Sequence, residues 1–309
     1  MTNTNLRVIA FPGAPNLPIF VANEKGWFKD NGVTIDLTTT PSSTYQAENL
    51  ANGTFDIAGT AFDNVVAYSE GQGAVKIEPA PDFFAFMGAT QIELALVTAP
   101  DVKTVADLKG RSVALDALTT GFAFVFYEML ARAGLQKSDV EMVPVGATPL
   151  RWEAVKEGKH AATLTIEPFT SIARAQGFNV PQTSTDLFDA YQGGSFAARR
   201  SWAKDNAAAL KGFIRGYLAG LEWTLDAANR DEATQILLAN MEAIKPPVAP
   251  KVIANLCNPR SGLTPGAAIL NDGVATVLDL RSRYGGAGSL TDASRYIDLS
   301  YLEDAIKGA

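Results

Sequence analysis

The stretch 116–122 (DALTTGF) offers the chain's clearest chemistry: two hydroxyls and a glycine at the start of an amphipathic helical pattern. Free N–H groups and hydroxyls at a helix start favour a carboxylate, sulfonate or phosphate. Thr119, Thr120 and Gly121 are therefore candidate anion contacts, with Asp116 and Phe122 beside them. A plain threonine N-cap is the competing reading. Three more loops sit where a strand hands over to a helix, the place where wound sheets bind ligands. Pro12, Gly13, Asn16 and Leu17 belong to a Gly/Pro turn that lets backbone N–H groups face a ligand, or to an ordinary turn. Ser42, Ser43 and Thr44 supply hydroxyls that either cap the next helix or donate to an anion. Thr60, Phe62 and Asp63 close the third strand, Phe62 as an aromatic wall and Asp63 as an N-cap. In the other half, Arg151 and Trp152 start a helix and offer a cation and a stacking surface, or simple packing. Glu167 follows a threonine-rich strand and could accept hydrogen bonds from a ligand amine or pair with an arginine. Phe11, Phe62, Phe122 and Trp152 all fall near strand ends or helix starts, which suits either an aromatic-lined cleft for a planar ligand or ordinary core.

Composition removes most other chemistry. One cysteine, Cys257, excludes an internal disulfide, and one histidine, His160, leaves no His/Cys zinc site and few nucleophile–base pairs. No metal and no cofactor are expected. Lys and Arg total 26 against 33 Asp and Glu, a formal charge of −7; without a basic block this is a poor partner for nucleic acid or an anionic membrane. At 309 residues with 47% hydrophobic and 19% charged side chains, the chain is a globular protein long enough for two lobes. No apolar run approaches the ~18–20 residues of a membrane span.

The elements that must carry these loops alternate as in a mostly parallel α/β layer. Strands are expected at 6–11, 33–39 and 55–59, with helices at 18–31, 45–52 and 63–70. A second set runs through strands at 93–98, 112–115, 141–145, 161–166 and 195–198. Its helices fall at 105–108, 119–133 (with Gly134 as C-cap) and 149–156. Long helices follow at 202–225 and 230–241, then a break at 246–250 and helices at 265–284 and 299–306. Residues 50–60 echo 155–165: each ends a helix at a glycine and continues into a small-residue strand ending in threonine. Any αβ connection shares that first feature, so the echo is either two related lobes or a common turn.

In five places, in order, the chain resembles the type II periplasmic solute-binding proteins of the NMT1/THI5-like, aliphatic-sulfonate- and nitrate-binding group. The matching segments are 18–33 (PIFVANEKGWFKDNGV), 53–59 (GTFDIAG), 105–114 (VADLKGRSVA), 166–169 (IEPF) and, more weakly, 296–302 (YIDLSYL). The resemblance implies a two-lobe α/β fold with a hinge and an interlobe ligand cleft. Lobe 1 would be 1–95 plus 199–309, lobe 2 would be 96–198, and the hinge strands would lie near 93–98 and 195–198. It also implies that the turn at Thr119–Gly121 holds an anion and that Glu167 lines the ligand or buttresses the hinge. One departure is His160, which stands where the family's second glycine turn often has Asp; it reads as a turn residue on the surface.

The expected function is capture of a small anionic or planar aromatic ligand for an ABC importer, by a monomer that meets its permease but no nucleic acid. The alternative is a cytosolic decarboxylase, lyase or isomerase acting through Glu167, Asp63 or Asp116. Against it, the synthases and desulfinases of this architecture carry histidines and cysteines that this chain lacks. A transcription-factor effector domain fares worse, with no helix-turn-helix before residue 6. The resemblance implies a periplasmic chain if an export signal has been trimmed, and a cytoplasmic one if Met1 is the native start.

Overall fold

A computed structural model of the chain describes residues 3–286 and 288–308. Its strands form two five-stranded sheets. The first contains β1 (Thr4–Ala10), β2 (Val33–Thr39), β3 (Ile57–Ala61), β4 (Phe83–Thr90) and β10 (Gly194–Arg199), ordered β2-β1-β3-β10-β4. The second contains β5 (Ala95–Thr98), β6 (Ser112–Leu115), β7 (Glu141–Pro144), β8 (Ala162–Thr165) and β9 (Asn179–Thr183), ordered β7-β6-β8-β5-β9.

The same path is traced twice. In the first sheet β1 runs parallel to β2 and β3, and β10 lies antiparallel to β3 and β4. In the second, β6 is parallel to β7 and β8, while β5 is antiparallel to β8 and β9. β3 and β8 thus hold equivalent positions, and the sequence echo falls on them. Gly53 and Gly158, at φ +82° and +75°, turn the chain from a helix into each strand through the left-handed region that favours glycine. The two-lobe α/β architecture expected from the sequence is the one observed. The chain leaves the first sheet after Thr90, enters the second at Ala95, and is back in the first at Gly194. Residues 195–198, expected at a hinge, run inside the first sheet as part of β10, bonded to strands on both sides.

Two strands escape sequence reading. β4 is buried at all eight positions, so it shows no polar alternation; β9 is short and half-buried throughout most of its length. The helix expected over 18–31 is broken at Gly26, whose φ of +80° ends Leu17–Glu24 before Trp27–Asp30 begins. The stretch 202–225 splits at Asn206 into Arg200–Asp205 and Ala207–Leu225. After the proline-rich break a helix not foreseen, Ala249–Leu256, begins, and 265–284 resolves into a short turn and the helix Asn271–Tyr284.

Packing explains the C-terminal half. Gly212, Gly216 and Gly220 lie four apart on helix Ala207–Leu225, and a Cβ on Gly220 would stand 2.2 Å from the Pro18 carbonyl oxygen. This bare stripe lets the long helix settle on Leu17–Glu24 and Trp27–Asp30, where Phe28 stacks on Phe213 at 5.6 Å. A second apolar cluster is common to both lobes, running from Ile9, Ala58 and Phe62 through Leu94 and Leu96 to Val113 and Phe124. Helix Asn271–Tyr284 seals it against helix Gly121–Arg132, with Tyr284 on Tyr127 at 5.7 Å. No helix among the described residues is long and apolar enough to cross a membrane.

Candidate functional site

Between the two sheets lies a cavity of about 800 Å³, its open mouth included. Its floor and walls come from loops at the strand ends, and eight of the residues singled out in the sequence line it: Phe11, Asn16, Thr60, Asp116, Thr120, Gly121, Phe122 and Arg151. Ile92, Ile166 and Phe196 make most of the remaining wall apolar.

Arg151 dominates the electrostatics. It lies in the first turn of helix Thr148–Lys156 with 2% of its surface exposed. Its Nη2 donates to Thr148 Oγ1 at 2.9 Å and its Nη1 to Thr163 Oγ1 at 3.3 Å, while Nε has no partner. Every bond it makes is to a neutral hydroxyl, so a full charge sits buried without a contacting carboxylate. Burial pushes its pKa down to about 10, against the opposing pull of the Asp116 charge; it remains a cation at neutral pH. An uncompensated buried cation in a cavity wall awaits an anion or is maintained at a cost.

After the neighbouring parallel strand of the same sheet, Thr120 caps helix Gly121–Arg132, its Oγ1 accepting from the Ala123 N–H at 3.3 Å. The N–H groups of Gly121 and Phe122 precede the first intrahelical bond and lie at the positive end of a twelve-residue helix. The N-cap and anion readings are thus compatible: the hydroxyl caps, and the backbone ahead of it stays available. Gly121 is required by its neighbour, because a Cβ there would stand 2.5 Å from the Asp63 Cβ.

The other candidates have structural partners. Asp63 is no N-cap; Ala61 holds that position, and Asp63 forms a fully buried ion pair with Arg281, at 2.7 Å to Nε and 2.6 Å to Nη2. Sequence spacing could not show this, since the partners are 218 residues apart. Arg281 also donates to the Thr119 carbonyl at 2.9 Å and lies over the Phe124 ring, so Thr119 serves the interlobe seam through its backbone. Phe62 is core rather than wall, as are Leu17 and Trp152, the last packed edge-on against Phe178 at 4.8 Å. Ser42 caps its helix through the Tyr45 N–H at 3.1 Å and bonds Thr44. The Ser43 N–H reaches across to the Asp116 carboxylate at 3.1 Å. Pro12 and Gly13 lie outside the cavity lining, and the loop they begin docks on the second lobe, the Ala14 N–H donating to the Glu167 carbonyl at 3.0 Å. His160 is a turn residue whose Nδ1 bonds Ser112 Oγ at 2.7 Å.

Glu167 lines a smaller chamber beside the main cavity. Its Oε1 accepts from Ser171 at 2.9 Å and from Asn255 at 2.5 Å, while Oε2 is buried without a partner. Burial pushes its pKa up, and the hydrogen bonds only partly offset this.

Sequence reading missed Ser195, Phe196, Ala89 and Thr90. The rule that ligands sit at the C-terminal ends of strands applies to parallel neighbours. β10 runs the other way, so its N-terminal residues reach the cavity beside the end of β3. Ala89 and Thr90 end β4, the strand whose unbroken apolar run hid it. Among the described residues no group of three His, Cys, Asp or Glu is placed to hold a metal ion.

A family profile described as NMT1-like matches residues 2–238. No curated protein sequence matches significantly. Among solved structures, a protein of Bordetella bronchiseptica RB50 superposes with a TM-score of 0.80 at 21% identity, covering 99% of this chain and 98% of its own. The nitrate-binding protein NrtA of Synechocystis PCC 6803 gives 0.81 at 17% identity, over 99% and 89%. The aliphatic sulphonate binding protein SsuA of Escherichia coli gives 0.66 at 22%, over 92% and 91%. At these identities the likeness is one of fold.

Proposed function

The chain belongs to the NMT1-like family, and from that premise we propose that it is a solute-binding protein, capturing a small organic anion between its lobes for delivery to an ABC importer. The observation that carries this is Arg151: a guanidinium buried in the cavity wall with only neutral partners and an idle Nε. An anion supplies what the free protein lacks, and the start of helix Gly121–Arg132 adds N–H donors to the same cavity. Phe11, Phe122 and Phe196 would cover the ligand's hydrocarbon part. Asn16, Thr60, Thr120 and Ser195 would supply hydrogen bonds to it. The periplasmic nitrate-binding and sulphonate-binding proteins of the same fold agree with an anion and with a periplasmic working place.

In this reading the lobe boundaries fall at the two crossings seen in the chain path, 91–94 and 187–193, in place of the strand 195–198. Capture then needs only a ligand that binds the closed arrangement better than an open one. A lyase or isomerase is poorly served by the carboxylates available to it. Asp63 is spent on Arg281, the Asp116 carboxylate accepts from the Ser43 N–H, and Glu167 is held by Ser171 and Asn255.

The test is ligand-dependent melting of the purified chain against carboxylates, sulfonates and anionic heterocycles, with Arg151→Met in parallel. A ligand at a hundred times its Kd adds about 2.7 kcal/mol of stability. Such a shift, absent in Arg151→Met, supports the assignment; turnover of a ligand abolished by Glu167→Gln would replace it with an enzyme.

A further inference from the structure

A smaller chamber, about 360 Å³ with its open mouth included, adjoins the main cavity, and Pro15, Thr90, Ile92 and Ile166 line both. The two ends differ in charge. Arg151 stands in the larger space; Glu93 and Glu167 line the smaller one. Each end keeps a buried polar atom without a partner, Nε of Arg151 and Oε2 of Glu167.

Counting Asp116, one cation shares the joined space with three carboxylates. A ligand carrying negative charge alone would be attracted at Arg151 and repelled along the remainder. The shared waist between the ends offers mainly hydrocarbon, from Pro15, Ile92 and Ile166. Unpaired buried groups of opposite sign, separated by an apolar neck, are matched by one molecule with opposite ends.

We propose that the ligand is bipolar: an anionic head on Arg151, a short apolar body through the waist, and a protonated amine or similar cationic donor at Glu167 and Glu93. This rests on the solute-capture reading of the same cavity and narrows it to ω-amino acids and their aromatic counterparts. Glu167 is then a specificity-determining residue, and its hydrogen bonds from Ser171 and Asn255 fix the carboxylate while leaving Oε2 for the ligand.

Calorimetric titration of the full chain tests this with matched pairs differing only in the terminal amine. The probes are 4-aminobutyrate, 6-aminohexanoate, 8-aminooctanoate and 4-(aminomethyl)benzoate, each against its amine-free acid. At one length or more the amine should bind about tenfold tighter or better, as expected for a charge-assisted pair. That advantage should vanish in Glu93→Gln/Glu167→Gln while the plain acid binds at least as well as before, its repulsion by the two carboxylates removed. Should the double variant fail to fold, Glu93→Gln alone, at a half-buried position, should reduce the advantage. Equal binding of both members, or preference for the plain acid at every length, overturns the bipolar assignment and leaves anion capture standing. Silence from all the probes also overturns it, and if no anion of the wider melting panel acts through Arg151, solute capture falls as well.

Discussion

Arg151 illustrates how a functional residue works against the stability of its own protein. A buried guanidinium without a contacting carboxylate loses hydration that two threonine hydroxyls restore only in part. Replacing it with methionine, of similar reach and no charge, should raise the ligand-free stability by about 1–3 kcal/mol and weaken anion binding by about tenfold or more. Urea unfolding and calorimetry on the same variant check both halves, and a variant that is less stable but binds normally would contradict the role. Glu128 behaves in the opposite sense. Burial pushes its pKa up, but hydrogen bonds from Arg132, Arg283 and Tyr284 together prevail and hold it below the ordinary 4.5. A carboxyl with a lowered folded value stabilises fully above its unfolded value, and that contribution is lost as pH falls through the folded one. Glu128→Gln should therefore cost about 1 kcal/mol at neutral pH and lose less stability than the parent between pH 5 and about 3. Chemical denaturation across that range measures the slope. These behaviours were not legible at residue level beforehand: Arg151 read as a cation at a helix start or as simple packing, and nothing local marked Glu128 at all.

At the scale of elements, two helices that start far apart in sequence meet over one ion pair. Asp63 opens helix Phe62–Ser69, Arg281 closes helix Asn271–Tyr284, and Arg281 then reaches the Thr119 carbonyl just before helix Gly121–Arg132. Removing one partner strands a buried charge, so Asp63→Ala should cost about 3–5 kcal/mol, far more than an N-cap would explain. The same contact fixes Gly121. Alanine normally favours a helix over glycine by about 1 kcal/mol, yet Gly121→Ala drives a methyl into Asp63. A net loss of about 1–3 kcal/mol is expected, as for an overpacked core, together with weaker anion binding as the helix start shifts. Thermal unfolding and calorimetry separate the two effects. Helix starts themselves were readable, because Thr120 and Ser42 are local capping signals. Which helix faced which was not, since periodicity gives a buried face without its partner.

For the whole molecule, closure and cohesion come from different sides. The shared apolar cluster and the Arg281 seam bind the lobes together, whereas thin polar contacts join loops of opposite lobes. Ala147 N–H meets the Pro41 carbonyl at 2.8 Å, and Ser43 N–H meets Asp116. Contacts so few are easily exchanged with water, so the ligand-free chain should populate a more open form about 91–94 and 187–193. Small-angle scattering should show the radius of gyration falling on ligand addition in the parent and staying constant in Arg151→Met. An unchanged radius with saturating ligand would point to a rigid pocket.

What the sequence determined alone is what depends on neighbours within a few residues. The glycine turns after helices, the Thr120 cap, the alternation of strands and helices, and the scarcity of cysteine and histidine are all of this kind, and with the ordered segments they sufficed for the two-lobe fold. Tertiary structure decided the rest, because charge and burial are properties of surroundings. Only packing could consign Phe62 and Trp152 to the core, give Asp63 to a residue 218 positions away, bring antiparallel β10 to the cavity beside β3, and leave Arg151 without a contacting carboxylate.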